Sequence, residues 1–74
     1  MSLDKVDFNK LRVDAEVIIC EKLRDSPLGI VQIIKLLEQN EIPHSIRIAK
    51  EVAWSMSENG TARFNDDWLL ELVD

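Results

Sequence analysis

The run Ser-Pro-Leu-Gly-Ile-Val-Gln-Ile-Ile-Lys-Leu-Leu-Glu-Gln-Asn over residues 26–40 constrains this chain more than any other stretch. Seven of the residues after Pro27 are large aliphatics, and Gln32, Lys35, Glu38 and Gln39 fall three or four apart on one narrow stripe. That spacing is helical, and a helix apolar around most of its girth needs neighbours on several sides. Ser26 is placed to accept from an orphan backbone N–H at the helix start, and Pro27 suits the first helical position, where its missing N–H is no loss. The pattern predicts a central helix that serves as the hub of a small helical domain.

Length limits what can surround that hub. With 74 residues, the chain makes one domain over residues 1–74, near the size at which only roughly 60% of the unfolded surface is buried. Its hydrophobic share of 46% and charged share of 31% are those of a folding, globular chain. The one cysteine, Cys20, rules out an intrachain disulfide and reads as a small buried hydrophobe. No basic-then-apolar leader and no apolar run of membrane-spanning length is present, so the expected setting is cytoplasmic, away from membranes.

Ahead of the central run, Leu11, Ala15, Ile18 and Ile19 recur at helical spacing over residues 4–24, with Val17, Cys20 and Leu23 widening the stripe. Val13, Ala15, Val17 and Ile19 also alternate as in a strand, but length and the lack of a pairing strand favour a helix antiparallel to the central one. After it, Ile42-Pro43 forces an extended link. A third helix over residues 45–58 turns Ile48, Ala49, Val52, Ala53 and Met56 inward and stops at Asn59-Gly60. At the C-terminal end, Asn65 has the character of a helix cap, Asp66 and Asp67 suit the positive end of a helix dipole, and Phe64 can pack on Leu69. The expectation is an all-α, four-helix domain. The alternative ends in two strands, residues 61–64 and 68–73, joined at Asn65-Asp66-Asp67. The expected core comprises Leu11, Ile18, Ile30, Ile33, Ile34, Leu37, Ile48, Val52, Phe64, Leu69 and Leu72.

The segment Ser-Ile-Arg-Ile-Ala-Lys-Glu-Val-Ala-Trp-Ser at residues 45–55 resembles the first half of the helix-turn-helix unit of bacterial regulators, of which the winged helix is the variant with a C-terminal hairpin. The resemblance implies that Ala49 lets two helices approach and that Val52 or Ala53 packs beneath the turn. It also implies DNA contact through Arg47, Lys50 and Arg63. Residues Met56-Ser57-Glu58-Asn59-Gly60, where a recognition-helix start belongs, depart from that family's pattern. Likewise, Asp25-Ser26 is followed by Pro27 and an aliphatic helix, unlike the Asp-Ser-Leu of carrier proteins.

Charge opposes the DNA reading. The formal net charge is −5, and beyond Asn40 three bases (Arg47, Lys50, Arg63) face seven acids. Phosphate is repelled by such a chain, and a protein partner fits better. Catalysis needs converging groups, yet there is one histidine and no tyrosine. His44 lies in a link with no residue spaced to orient it. Asp66 and Asp67 point about 100° apart on a helix and need no metal to explain them. The two glycines, Gly29 and Gly60, make no phosphate-cradling loop, and neither zinc nor calcium spacing occurs. No enzyme activity and no cofactor are expected.

The function expected is that of a small regulatory or adaptor module acting by protein–protein interaction, with a DNA-binding regulator as the alternative. Both tryptophans sit among apolar residues and suit the core, Trp68 more than Trp54, which falls between the apolar stripe and the polar face of its helix. A partly exposed tryptophan is also a preferred interface anchor, and Met56 is adaptable in that role. Apolar surface left over on the last helix predicts a homodimer centred on Trp68 or Leu70, with Trp54 at the rim.

Overall fold

A computed structural model describes residues 7–73, which form α1 (Phe8–Leu23), α2 (Ile30–Gln39), α3 (Ser45–Glu58), β1 (Ala62–Phe64) and β2 (Leu70–Leu72). Residues 4–6 of the expected first helix lie outside the described residues. From Asp7 on, the helical reading of that segment holds: Asp7 accepts from the Lys10 N–H at 3.2 Å, and Ala15, Ile19 and Leu23 bury one edge at four-residue spacing. Val17, read as part of the apolar stripe, faces solvent instead.

The central helix begins later than its capping signals suggest. Ser26 and Pro27 are exposed and not helical, because Leu28 is extended and exchanges two backbone hydrogen bonds with Leu70, at 3.0 and 2.7 Å. Helix α2 therefore starts after Gly29, whose N–H donates to Gln32 Oε1 at 2.8 Å. A Cβ on Gly29 would lie 3.3 Å from Leu69 Cδ2, so glycine permits the close approach of the C-terminal segment here. At the other end, Glu41 adopts φ 60° and the Ile42 N–H donates to the Leu37 carbonyl at 2.9 Å. This left-handed stop satisfies carbonyls the helix would otherwise leave open and tucks Ile42 back against the core.

Helix α3 has the expected bounds and is the element on which the others pack. It touches α1, α2 and β1 and buries Ile48, Ala49, Val52, Ala53 and Met56. Helix α2 fully buries only Ile33 and Leu37, and its Val31 is exposed. The hub is thus α3 rather than α2. Ala49 and Ala53 keep the interhelical surface flat and close, while Ile48, Val52 and Met56 fill the space between elements. Gly60, at φ +83°, ends the helix in the conformation glycine adopts without penalty.

The fourth helix does not form. Residues 62–72 make an antiparallel hairpin in which Ala62 pairs with Leu72, Arg63 with Glu71 and Phe64 with Leu70. Alternation sets Ala62 and Leu70 fully into the core, with Phe64 and Leu72 packed beside them. The turn explains why helix signals misled. Asn65 does cap, but its Oδ1 accepts from the Asp67 and Leu69 N–H groups at 2.8 and 3.1 Å, which closes a turn rather than starting a helix. The Trp68 N–H donates to the Asn65 carbonyl at 3.0 Å, the Asn65 N–H to the Leu69 carbonyl at 2.9 Å, and Trp68 has φ 60°. This is a three-residue hairpin loop whose last position favours glycine and here holds tryptophan.

Of the expected core, Ile33, Leu37, Ile48 and Val52 are fully buried, while Leu11, Ile18, Ile30, Ile34, Phe64 and Leu72 pack partly buried around them. Leu69 is half-buried. Leu28 and Leu70 join the core because their backbones pair.

Urea unfolding should separate the two neighbours in the hairpin. Leu70→Ala is expected to cost about 2–5 kcal/mol, because it empties a buried site. Trp68→Gly should instead stabilise by about 1 kcal/mol, because it relieves a left-handed side-chain clash at an exposed position. A destabilised Trp68→Gly variant would show that Trp68 contributes packing its exposure does not suggest.

Candidate functional site

The solvent side of α3 follows from its buried side. With Ile48, Val52 and Met56 inward, Ile46, Lys50 and Trp54 recur every four residues along the outward strip, joined by Arg47 and Glu58. Trp54 is 66% exposed and its indole N–H donates to Glu58 Oε1 one turn on, which holds the ring along the helix surface. Ile46 is also largely exposed. The first turns of α3 line an open concavity formed by His44, Ser45, Ile46, Arg47, Lys50 and Glu51.

Glu51 organises the charge beside this strip. Its carboxylate accepts from Arg12 of α1 at 2.6 Å and from Arg47 of α3 at 2.8 Å. Arg47 lies 4.0 Å above the Phe8 ring, and that ring packs 5.3 Å from the His44 imidazole. Hydrogen bonding from Arg47 first, then Arg12, holds the Glu51 carboxyl below the usual carboxylate range. On the hairpin, Glu71 accepts from Asn65 at 3.0 Å and from Arg63 at 3.3 Å, and those bonds, Asn65 first, likewise lower its carboxyl.

The seven residues singled out from the sequence separate into three groups. Arg47 and Arg63 are exposed but already paired with carboxylates, whereas Lys50 is exposed with no ion pair among the described residues. Trp54 and Trp68 are not core residues; Trp68, at 79% exposure, stands out at the hairpin loop with its ring tilted 6.4 Å from Phe64. Met56 and Leu70 are fully buried and offer a partner no surface, which removes the expected dimer centred on Leu70. Ile46 was missed. Its four-residue spacing to Lys50 and Trp54 was the available signal, obscured because an isoleucine beside Ile48 reads as core.

Cys20 is half-buried against the core, and burial, then Glu16, pushes its thiol up, away from the reactive thiolate. Among the described residues, no group of three or more His, Cys, Asp or Glu is arranged to hold a metal ion, and no helix is long and apolar enough to cross a membrane. No family model, curated protein or solved structure matches the chain.

The Glu51 clasp makes a pH prediction with a definite sign. A carboxyl lowered in the folded state stabilises above its unfolded pKa, and that contribution is lost as pH falls through the folded value. Wild type should therefore exceed Glu51→Gln in urea stability at pH 7. The difference should shrink as pH drops through and below the ordinary carboxylate range. A difference independent of pH would mean that the arginines do not act on Glu51.

Proposed function

We propose that this chain is a winged-helix-type module that works by binding another protein through the outward strip of α3. The order of elements supports the architecture: α1, an extended residue Leu28 in the sheet, α2, α3 and then a hairpin. In that architecture α3 is the helix presented to a partner.

The observation that carries the protein-binding reading is the composition of the strip. Its exposed apolar residues are Trp54 and, two turns before it with Lys50 between them, Ile46, and a large exposed aromatic is what a protein interface uses as an anchor. Phosphate recognition calls instead for free cations. Here Lys50 is the one base of the three without an ion pair among the described residues, Glu51 accompanies Arg47, Glu71 accompanies Arg63, and the loop between β1 and β2 adds Asp66 and Asp67. With a net charge of −5, approach to a phosphate backbone is opposed both at long range and at these contacts.

Two measurements test the reading together. Random duplex DNA titrated between 50 and 200 mM salt should show no measurable affinity. Binding whose log K falls against log salt with a slope of about −2.7, as three phosphate contacts demand, would replace the proposal with the DNA-binding alternative. Partners recovered from cells of the source and confirmed with purified protein should lose about 2 kcal/mol or more of binding with Trp54→Ala. The variant should keep the wild-type unfolding midpoint.

A further inference from the structure

The outward face of α1 carries a second apolar strip that neither the core nor the α3 surface explains. Val13 and Val17, one helical turn apart, are 64% and 55% exposed, on the side opposite Ala15 and Ile19. Lys10 and Glu21 flank them, both exposed and without an ion pair among the described residues. Eleven residues separate those two charges, which at 100° per residue returns them to the same flank within about 20°. Along the axis they are about 16 Å apart, far beyond ion-pair reach within one chain.

We infer that this face pairs with the same face of a second copy of the chain, antiparallel, about a two-fold axis that runs between the two helices, perpendicular to them, at the level between Ala15 and Glu16. An antiparallel two-fold brings each flank opposite itself with its direction reversed. Lys10 then meets the partner's Glu21, and Glu21 meets the partner's Lys10. Val13 comes level with the partner's Val17 to within one residue's rise, about 1.5 Å, so two valine pairs form the centre between two ion pairs. A parallel two-fold would set each flank against the partner's opposite flank and leave Lys10 and Glu21 without each other, so only the antiparallel arrangement joins these two charges. A contact along one helix of about 24 Å is small beside the roughly 1,200–2,000 Å² of a standard stable interface. The dimer is therefore expected to be weak. Val13 and Val17 also border a groove with Val52 and Ser55 of α3, but Ile46, Lys50 and Trp54 are not among its lining residues.

Sedimentation equilibrium of the wild type from about 10 μM to 1 mM should show an 8.5 kDa monomer giving way to a dimer. Lys10→Glu and Glu21→Lys should each weaken dimerisation by about tenfold, since each turns two attractions into two repulsions. The double exchange should return it to within about twofold of wild type. Because Lys10 and Glu21 cannot reach each other within one chain, that rescue reads contact between copies. All these positions are exposed, and retained folding is checked by helical circular dichroism. Val17→Glu should abolish the dimer, but the charge exchange decides the matter even if that variant folds poorly. Trp54→Ala should leave the dimer unchanged. A wild type that stays at 8.5 kDa throughout would overturn the pairing. So would a dimer indifferent to the single exchanges, or a double exchange no stronger than the singles.

Discussion

Two backbone hydrogen bonds between Leu28 and Leu70 hold the two ends of this fold together. They join the α1–α2 connection to the last strand, so that β2 is flanked by β1 on one side and by Leu28 on the other. An isolated two-stranded hairpin is marginal in water. Here the added pairing, with Leu70 and Ala62 set into the core, fixes the hairpin on the helices. The same pairing delays α2 until Gly29, and Gly29 in turn makes room for Leu69. Helix start, strand register and loop position thus depend on one another.

The charged surface is arranged around a second joint, between α1 and α3. Glu51 receives Arg12 from one helix and Arg47 from the other, and Arg47 lies over Phe8. Exposed ion pairs are individually weak, so the importance of this cluster is positional. It occupies the arginine that a DNA-binding α3 would offer, and the exposed tryptophan and isoleucine beside it define the surface's character. Charge neutralisation and aromatic exposure are the two observations on which the proposed protein partner rests.

Much of the helical framework was legible because α2 and α3 bury one face and α1 carries a buried edge at four-residue spacing, although Val13 and Val17 leave its opposite face apolar as well. The bounds of α3 follow from Ser45, the Ile48, Val52 and Met56 face, and Asn59-Gly60. The C-terminal segment was harder to read. Asn65-Asp66-Asp67 satisfies backbone N–H groups equally well in a helix start or a hairpin turn, and Leu69-Leu70-Glu71-Leu72 is too short for its period to decide. The deciding interaction is the non-local pairing with Leu28, which no local pattern records. The same holds for Trp68 and Leu70: neighbours in an apolar run, one reaches solvent at a left-handed loop position and the other enters the core. Of the candidate site, Trp54, Arg47 and Lys50 were visible as the polar edge of α3. The neutralising partners and Ile46 required the tertiary arrangement.

Amide hydrogen exchange at Leu28 and Leu70 tests this account most directly, because both N–H groups lie outside any helix and donate only across the joint that closes the fold. Both should exchange as slowly as the buried amides of α3, from Ile48 to Val52, and should become exposed only when the whole domain unfolds. Exchange at the rate of the exposed Asp66 and Asp67 loop, with α3 still protected, would contradict it. The hairpin would then be an appendage, and the three helices would be holding the fold without it.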